Sequence, residues 1–147
     1  MASRKLTDII RDVEAKVDLF QEVLLTKIAQ NVVSNSPVDT GAYVNSFNFS
    51  TGRDSRKRAT SSEGRPKMDE SEAKGQALDN LMGDIKELPK DGKVYLNNRA
   101  PHARLVEDGN AAPGDHRWRR DGYKVFAKLD MSMPQLFEEA LQEVGTK

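Results

Sequence analysis

His102 and His116 are the only histidines of the chain, and Glu107, Asp108 and Asp115 lie near them in sequence. Imidazole beside carboxylate can hold a metal ion or pass a proton. The spacing matches no ligand pattern, and no nucleophile accompanies the group. Both histidines adjoin turn residues, which favours a surface or interface position. Glu107 precedes Asp108-Gly109, where a carboxylate can hold a turn or join an intersubunit pair. Cysteine is absent, so thiolate chemistry, thiolate metal sites and disulfides are excluded. The chain carries no phosphate-binding glycine loop, no nucleophile elbow and no HExxH zinc motif. These features predict a protein that is not an enzyme and has neither cofactor nor metal.

A second chemistry is cationic. Arg53, Arg56, Lys57, Arg58, Arg65 and Lys67 crowd one stretch, and Arg117, Arg119 and Arg120 surround Trp118. Arginines interleaved with an aromatic suit nucleic-acid contact. They equally suit protein interfaces, where Trp and Arg are enriched. Lys+Arg and Asp+Glu both number 23, so no global attraction to nucleic acid or anionic membrane is expected. The balance is local: residues 52–67 carry six basic and two acidic groups, and residues 69–91 carry seven acidic and three basic.

The elements that must position these groups follow from periodicity. Residues 3–35 read as one long helix. Leu6, Ile10, Val13, Val17, Phe20, Leu24 and Ile28 recur at spacings of three and four and share a stripe. Pro37 ends it by forcing Ser36 out of the helical region. Such a helix can outrun a small core and leave apolar surface for another subunit. Asp39-Thr40-Gly41 is a turn, in which the Asp side chain can accept backbone N–H groups and Gly can take positive φ. Residues 42–51 alternate and suit a half-buried strand whose first turn can be helical. Residues 52–68 lack periodicity and read as a loop.

Asp69, with Glu72 three residues on, resembles a capping box opening a second helix that Pro89 stops. Lys93–Asn97 is expected as a strand. Pro101 suits the first turn of a short helix and Gly109 its end. Tyr123, Val125, Ala127 and Leu129 alternate as a last strand. Ser132-Met133-Pro134-Gln135 suggests a capping box for a C-terminal helix. The expectation is one α+β domain over residues 1–147: a long N-terminal helix, a small mainly antiparallel sheet, a middle helix and a C-terminal helix. No stretch is apolar enough to span a membrane, and the first residues lack the apolar run of a signal peptide.

Two segments carry a family resemblance: Ser36-Pro37-Val38-Asp39-Thr40-Gly41 after the long helix, and Val94 to Gly109. The second holds Val94-Tyr95-Leu96-Asn97-Asn98, then Pro101-His102-Ala103, then Val106-Glu107-Asp108-Gly109. Pro113-Gly114 and Arg117 follow. In this order the motifs resemble the neck or tail-completion proteins of tailed bacteriophages, the lambda Z-type group. His102 stands where Tyr is usual, and Asp115-His116 interrupts the apolar residues usual after Gly114. Aspartic proteases also use Asp-Thr-Gly, but they need two such aspartates; this chain has one.

The resemblance implies a structural virion protein at the head–tail junction, assembled in the host cytoplasm. It would form a homo-oligomeric ring, hexameric by preference, between head-connector proteins and the tail terminator or tail tube. Passive contact with phage DNA is compatible with it. Asp39, Thr40, Gly41, Asn97, Pro101, His102, Glu107 and Gly109 would serve turn and assembly roles. The alternative is a nucleic-acid-binding module using residues 53–67 and Arg117–Arg120.

Overall fold

The computed structural model describes residues 5–52, 58–61, 63–89, 92–109 and 121–145. Helix α1 spans Leu6–Ser34. Its second half is buried through Leu25, Ile28, Ala29, Val32 and Val33. Its first turns leave their apolar side chains in water: Leu6, Ile9, Ile10, Val13 and Val17 are all exposed, Leu6 at 70%. The stripe in the sequence is therefore used at one end only.

After the Pro37 turn, a single 3₁₀ turn at Val44–Ser46 leads into strand β1, Phe47–Ser50. Helix α2, Glu70–Glu87, starts where the capping box places it, with the Asp69 carboxylate accepting from the Glu72 N–H at 3.0 Å. Strand β2, Tyr95–Asn98, pairs antiparallel with β1, Phe47 opposite Asn98 and Ser50 opposite Tyr95. The short helix α3, Ala103–Asp108, ends at Gly109 with φ 84°. Helix α4 runs from Val125 to Gly145. The α+β class with a long first helix and a small antiparallel sheet is thus present.

Two expectations fail. Residues 123–129 are not a strand, and no helix begins at Ser132; α4 starts at Val125 and carries Pro134 inside it. Val125 and Leu129 fit a two-residue and a four-residue period alike, and burial follows the helix: Val125, Leu129, Ala140 and Val144 face inward. The second failure is the half-buried strand. Phe47, Asn48 and Phe49 are all buried, so both faces of β1 are covered. One core joins α1, the 3₁₀ turn, β1, α2, α3 and α4, with Phe47, Leu81, Val32, Val44, Val106 and Val125 fully enclosed.

The cover on β1 is made by side chains. In the observed register, Phe47 and Phe49 direct their backbone polar groups away from β2. The Phe49 N–H donates to Asp84 Oδ2 at 3.1 Å, and the Phe47 carbonyl accepts from Arg58 Nη2 at 2.9 Å. Arg58 and Asp84 then join each other through both guanidinium nitrogens. Residues 58–60 lie alongside: the Arg58 carbonyl accepts from Asn48 Nδ2 and the Thr60 N–H donates to Ser46 Oγ. An ion pair thus takes the place of a third strand. Removing one partner strands a buried charge and a strand amide together. Asp84→Ala is expected to destabilise the fold by about 3 kcal/mol or more, read from the urea midpoint. Arg58→Lys, which loses the fork geometry, is expected to fall between that variant and the parent.

Candidate functional site

The two motifs meet across one groove of about 410 Å³. Its first wall is Pro37, Val38, Asp39, Thr40, Gly41, Ala42 and Tyr43; the second is His102, Val106 and Tyr123. The first wall is set by the α1 exit. Gly41 has φ 82°, which favours glycine, and a Cβ there would crowd Met68 Sδ at 2.9 Å and Ala73 Cβ at 3.3 Å. The Asp39 carbonyl accepts from the Met68 N–H at 2.7 Å, which ties the turn to the approach of α2. Thr40 is buried and its Oγ1 accepts from the Ala42 N–H. The Asp39 carboxylate was expected to bind turn N–H groups; it takes no hydrogen bond among the described residues.

The second wall hangs on α3. The Asn98 amide donates to the Tyr43 carbonyl at 2.8 Å, and its oxygen accepts from the Ala100 N–H, so one side chain binds the two motifs together. Pro101 opens the turn before α3 and is exposed. Asn97 sits opposite Asn48 in the ladder, their amides 3.5 Å apart. At the far end of α3, the Glu107 carboxylate accepts from the Phe126 N–H at 2.7 Å and the Ala127 N–H at 3.4 Å. It caps α4 from a distance, meeting the free N–H groups and the positive end of that helix. Val106 and Glu107 carbonyls accept from Tyr123 and Lys124 N–H groups, completing the join. Gly122, with φ 75°, passes so close that a Cβ would come within 2.1 Å of the Glu107 carbonyl oxygen.

Tyr43 is a second buried polar residue of the groove wall. Its ring packs edge-on against Phe47 at 5.3 Å and lies 6.3 Å from His102. Its hydroxyl is buried without a hydrogen-bond partner among the described residues. Burial, with the Glu107 charge adding to it, pushes its ionisation far above the ordinary tyrosine range, so it stays a neutral O–H. Burial lowers the pKa of His102, which favours the neutral imidazole. Among the described residues no group of His, Asp or Glu is gathered as a metal would require.

Asp39, Thr40, Gly41, His102 and the turn around Glu107 are therefore brought together, while Asn97 lies in the sheet. Arg58 faces inward on Asp84 and is not offered to a partner or to phosphate. Arg53, Arg56, Lys57, Arg117, Trp118, Arg119, Arg120, Asp115 and His116 lie outside the described residues. Sequence reasoning missed Tyr43, Asn98 and Asp84. Asp84 had a signal: it falls three residues after Leu81 and four before Leu88, inside the apolar side of α2.

Comparison with models of protein families, with curated proteins and with solved structures gives no match. Two substitutions check the architecture of the site. Glu107→Ala is expected to cost about 1 kcal/mol through the lost cap, whereas Gly122→Ala should cost more because backbone must move. Chemical denaturation followed by circular dichroism reads both.

Proposed function

We propose that the chain is a structural component of a tailed-bacteriophage virion, a neck or tail-completion protein that joins head connector to tail by assembling as a ring. The observation that carries this reading is the free half of α1. Leu6, Ile10, Val13, Val17, Phe20 and Leu24 follow the alternating four- and three-residue spacing of a helix–helix seam. Phe20 meets Phe137 of α4 edge-on at 4.9 Å, and Leu24 packs into the core. The first four seam residues are exposed, and beside Phe20 the apolar surface continues through Phe137 and Leu141, which are half exposed. A patch of this kind in water marks an assembly surface. The ordered motifs supply the rest of the support: they meet in one groove. No helix among the described residues is long and apolar enough to cross a membrane.

Peptide mapping of purified virions is expected to find the protein in the neck or upper tail. Its absence from complete particles would sink the reading. The nucleic-acid alternative now depends on residues other than Arg58. Replacing Arg53, Arg56 and Lys57 with Ala isolates it, because those changes leave the Arg58–Asp84 pair intact. A salt-sensitive loss of DNA retention in that variant is the outcome that would favour it.

A further inference from the structure

The open part of the α1 seam has a definite length and a definite end. Leu6, Ile10, Val13 and Val17 stand exposed along it, with Ile9 beside them. At Phe20 the seam is no longer free: Phe20 meets Phe137 of α4, and Leu24 packs into the core. Phe137 and Leu141 are themselves half exposed. The exposed surface of these side chains, on the order of 700 Å², exceeds the roughly 300–600 Å² of the largest apolar patch on a typical monomer. It approaches the roughly 800 Å² that each partner of a stable pair covers.

Three constraints decide what can cover it. The first is steric. The seam face is open as far as Val17 and is occupied by the chain's own α4 at Phe20. A parallel helix that followed the seam would run into α4 there, whereas an antiparallel one reaches the end of its own free part. The second is spacing. From Leu6 to Val17 the steps are four, three and four residues, the same in both directions. An antiparallel copy therefore sets Leu6 on Val17 and Ile10 on Val13, each layer pairing a larger residue with a smaller one. The third is charge. Residues 5–17 hold three acids, Asp8, Asp12 and Glu14, and three bases, Lys5, Arg11 and Lys16, so no net charge opposes two copies. Beside the seam, the antiparallel register brings the Lys16 stem to Ile9 and Glu14 to Thr7, with no like charges opposed.

We propose that the free chain pairs with a second copy through residues 6–17 of α1, the two helices packed antiparallel. At about 1.5 Å per residue the overlap is about 18 Å long. The Leu6 end of each helix then arrives beside the partner's Phe137 and Leu141 and covers the rest of the patch. A two-fold pair closes on itself, so it is a dimer and not a segment of a ring. It keeps the patch out of water until the chain enters an assembly, where the same surface is released to ring neighbours. The inference rests on the reading of α1 as an assembly surface and names what occupies that surface beforehand.

Sedimentation equilibrium of the full chain is expected to show twice the chain mass at micromolar concentration. Val13→Glu replaces an exposed side chain and sets a carboxylate against Ile10 of the other copy. It is expected to weaken association at least a hundredfold while keeping the parent's near-ultraviolet circular dichroism; Val13→Leu, which keeps the seam apolar, should still pair. The chain has no cysteine, so introduced thiols report the direction of packing. Leu6→Cys mixed with Val17→Cys under oxidising conditions is expected to give the mixed disulfide, and either variant alone to stay largely unlinked. A parent of single-chain mass at every soluble concentration, unaltered association of Val13→Glu, or disulfides within each variant in preference to the mixed one would each overturn the pair. A monomeric parent that is still found in virions would sink the pair alone, and a dimeric parent absent from virions would sink the neck reading alone.

Discussion

Everything in this fold leans on the pair formed by Arg58 and Asp84. A two-stranded sheet is marginal in water because each strand keeps an open edge. Here the β1 edge is closed by side chains. Asp84 accepts from one strand amide, Arg58 donates to one strand carbonyl, and the two charges satisfy each other. Because the arginine is anchored, residues 58–60 lie against β1 and bury Asn48 and Ser46. Because the aspartate sits on α2, the same pair fixes that helix against the strand.

From that clamp the groove follows. β1 holds β2 in register, and β2 delivers Asn98 to the Tyr43 carbonyl. Tyr43, Phe47 and Phe126 then form a run of ring contacts from the α1 exit to α4. Glu107 fastens the other side by capping α4. The groove walls are thus held by rigid elements, while Leu6, Ile10, Val13 and Val17 at the start of α1 stay exposed. A helix with a buried half and a free apolar half resists isolation: its free half is short for stability in water. Packing against another molecule resolves that problem, and this is the physical basis for reading the chain as an assembly protein.

The carboxylates illustrate why residue type alone misleads about chemistry. Asp39 and Glu107 invite a search for acid chemistry, and Asp84 sits unannounced on α2. One stands free at a groove, one closes a sheet edge, and one caps a helix. What differs between them is the set of backbone groups that tertiary packing brings within reach.

Much was legible in the sequence. The three- and four-residue stripe fixed α1, the Asp69 box fixed the start of α2, Pro37 and Gly41 fixed the turn, and Gly109 ended α3. Each is a local constraint, set by backbone sterics or by groups a few residues apart. The sequence also showed that the stripe of α1 was longer than a small core would use. Tertiary structure decided the rest. Residues 125–129 are helical with a cap that arrives from Glu107, which no local pattern could announce. Arg58, read as a surface cation, is internal because Asp84 lies opposite it on α2. The two motifs became one site because Asn98 and the β1–β2 register join them. Such pairings depend on which distant backbone groups come to face one another, and a one-dimensional pattern does not contain that distance.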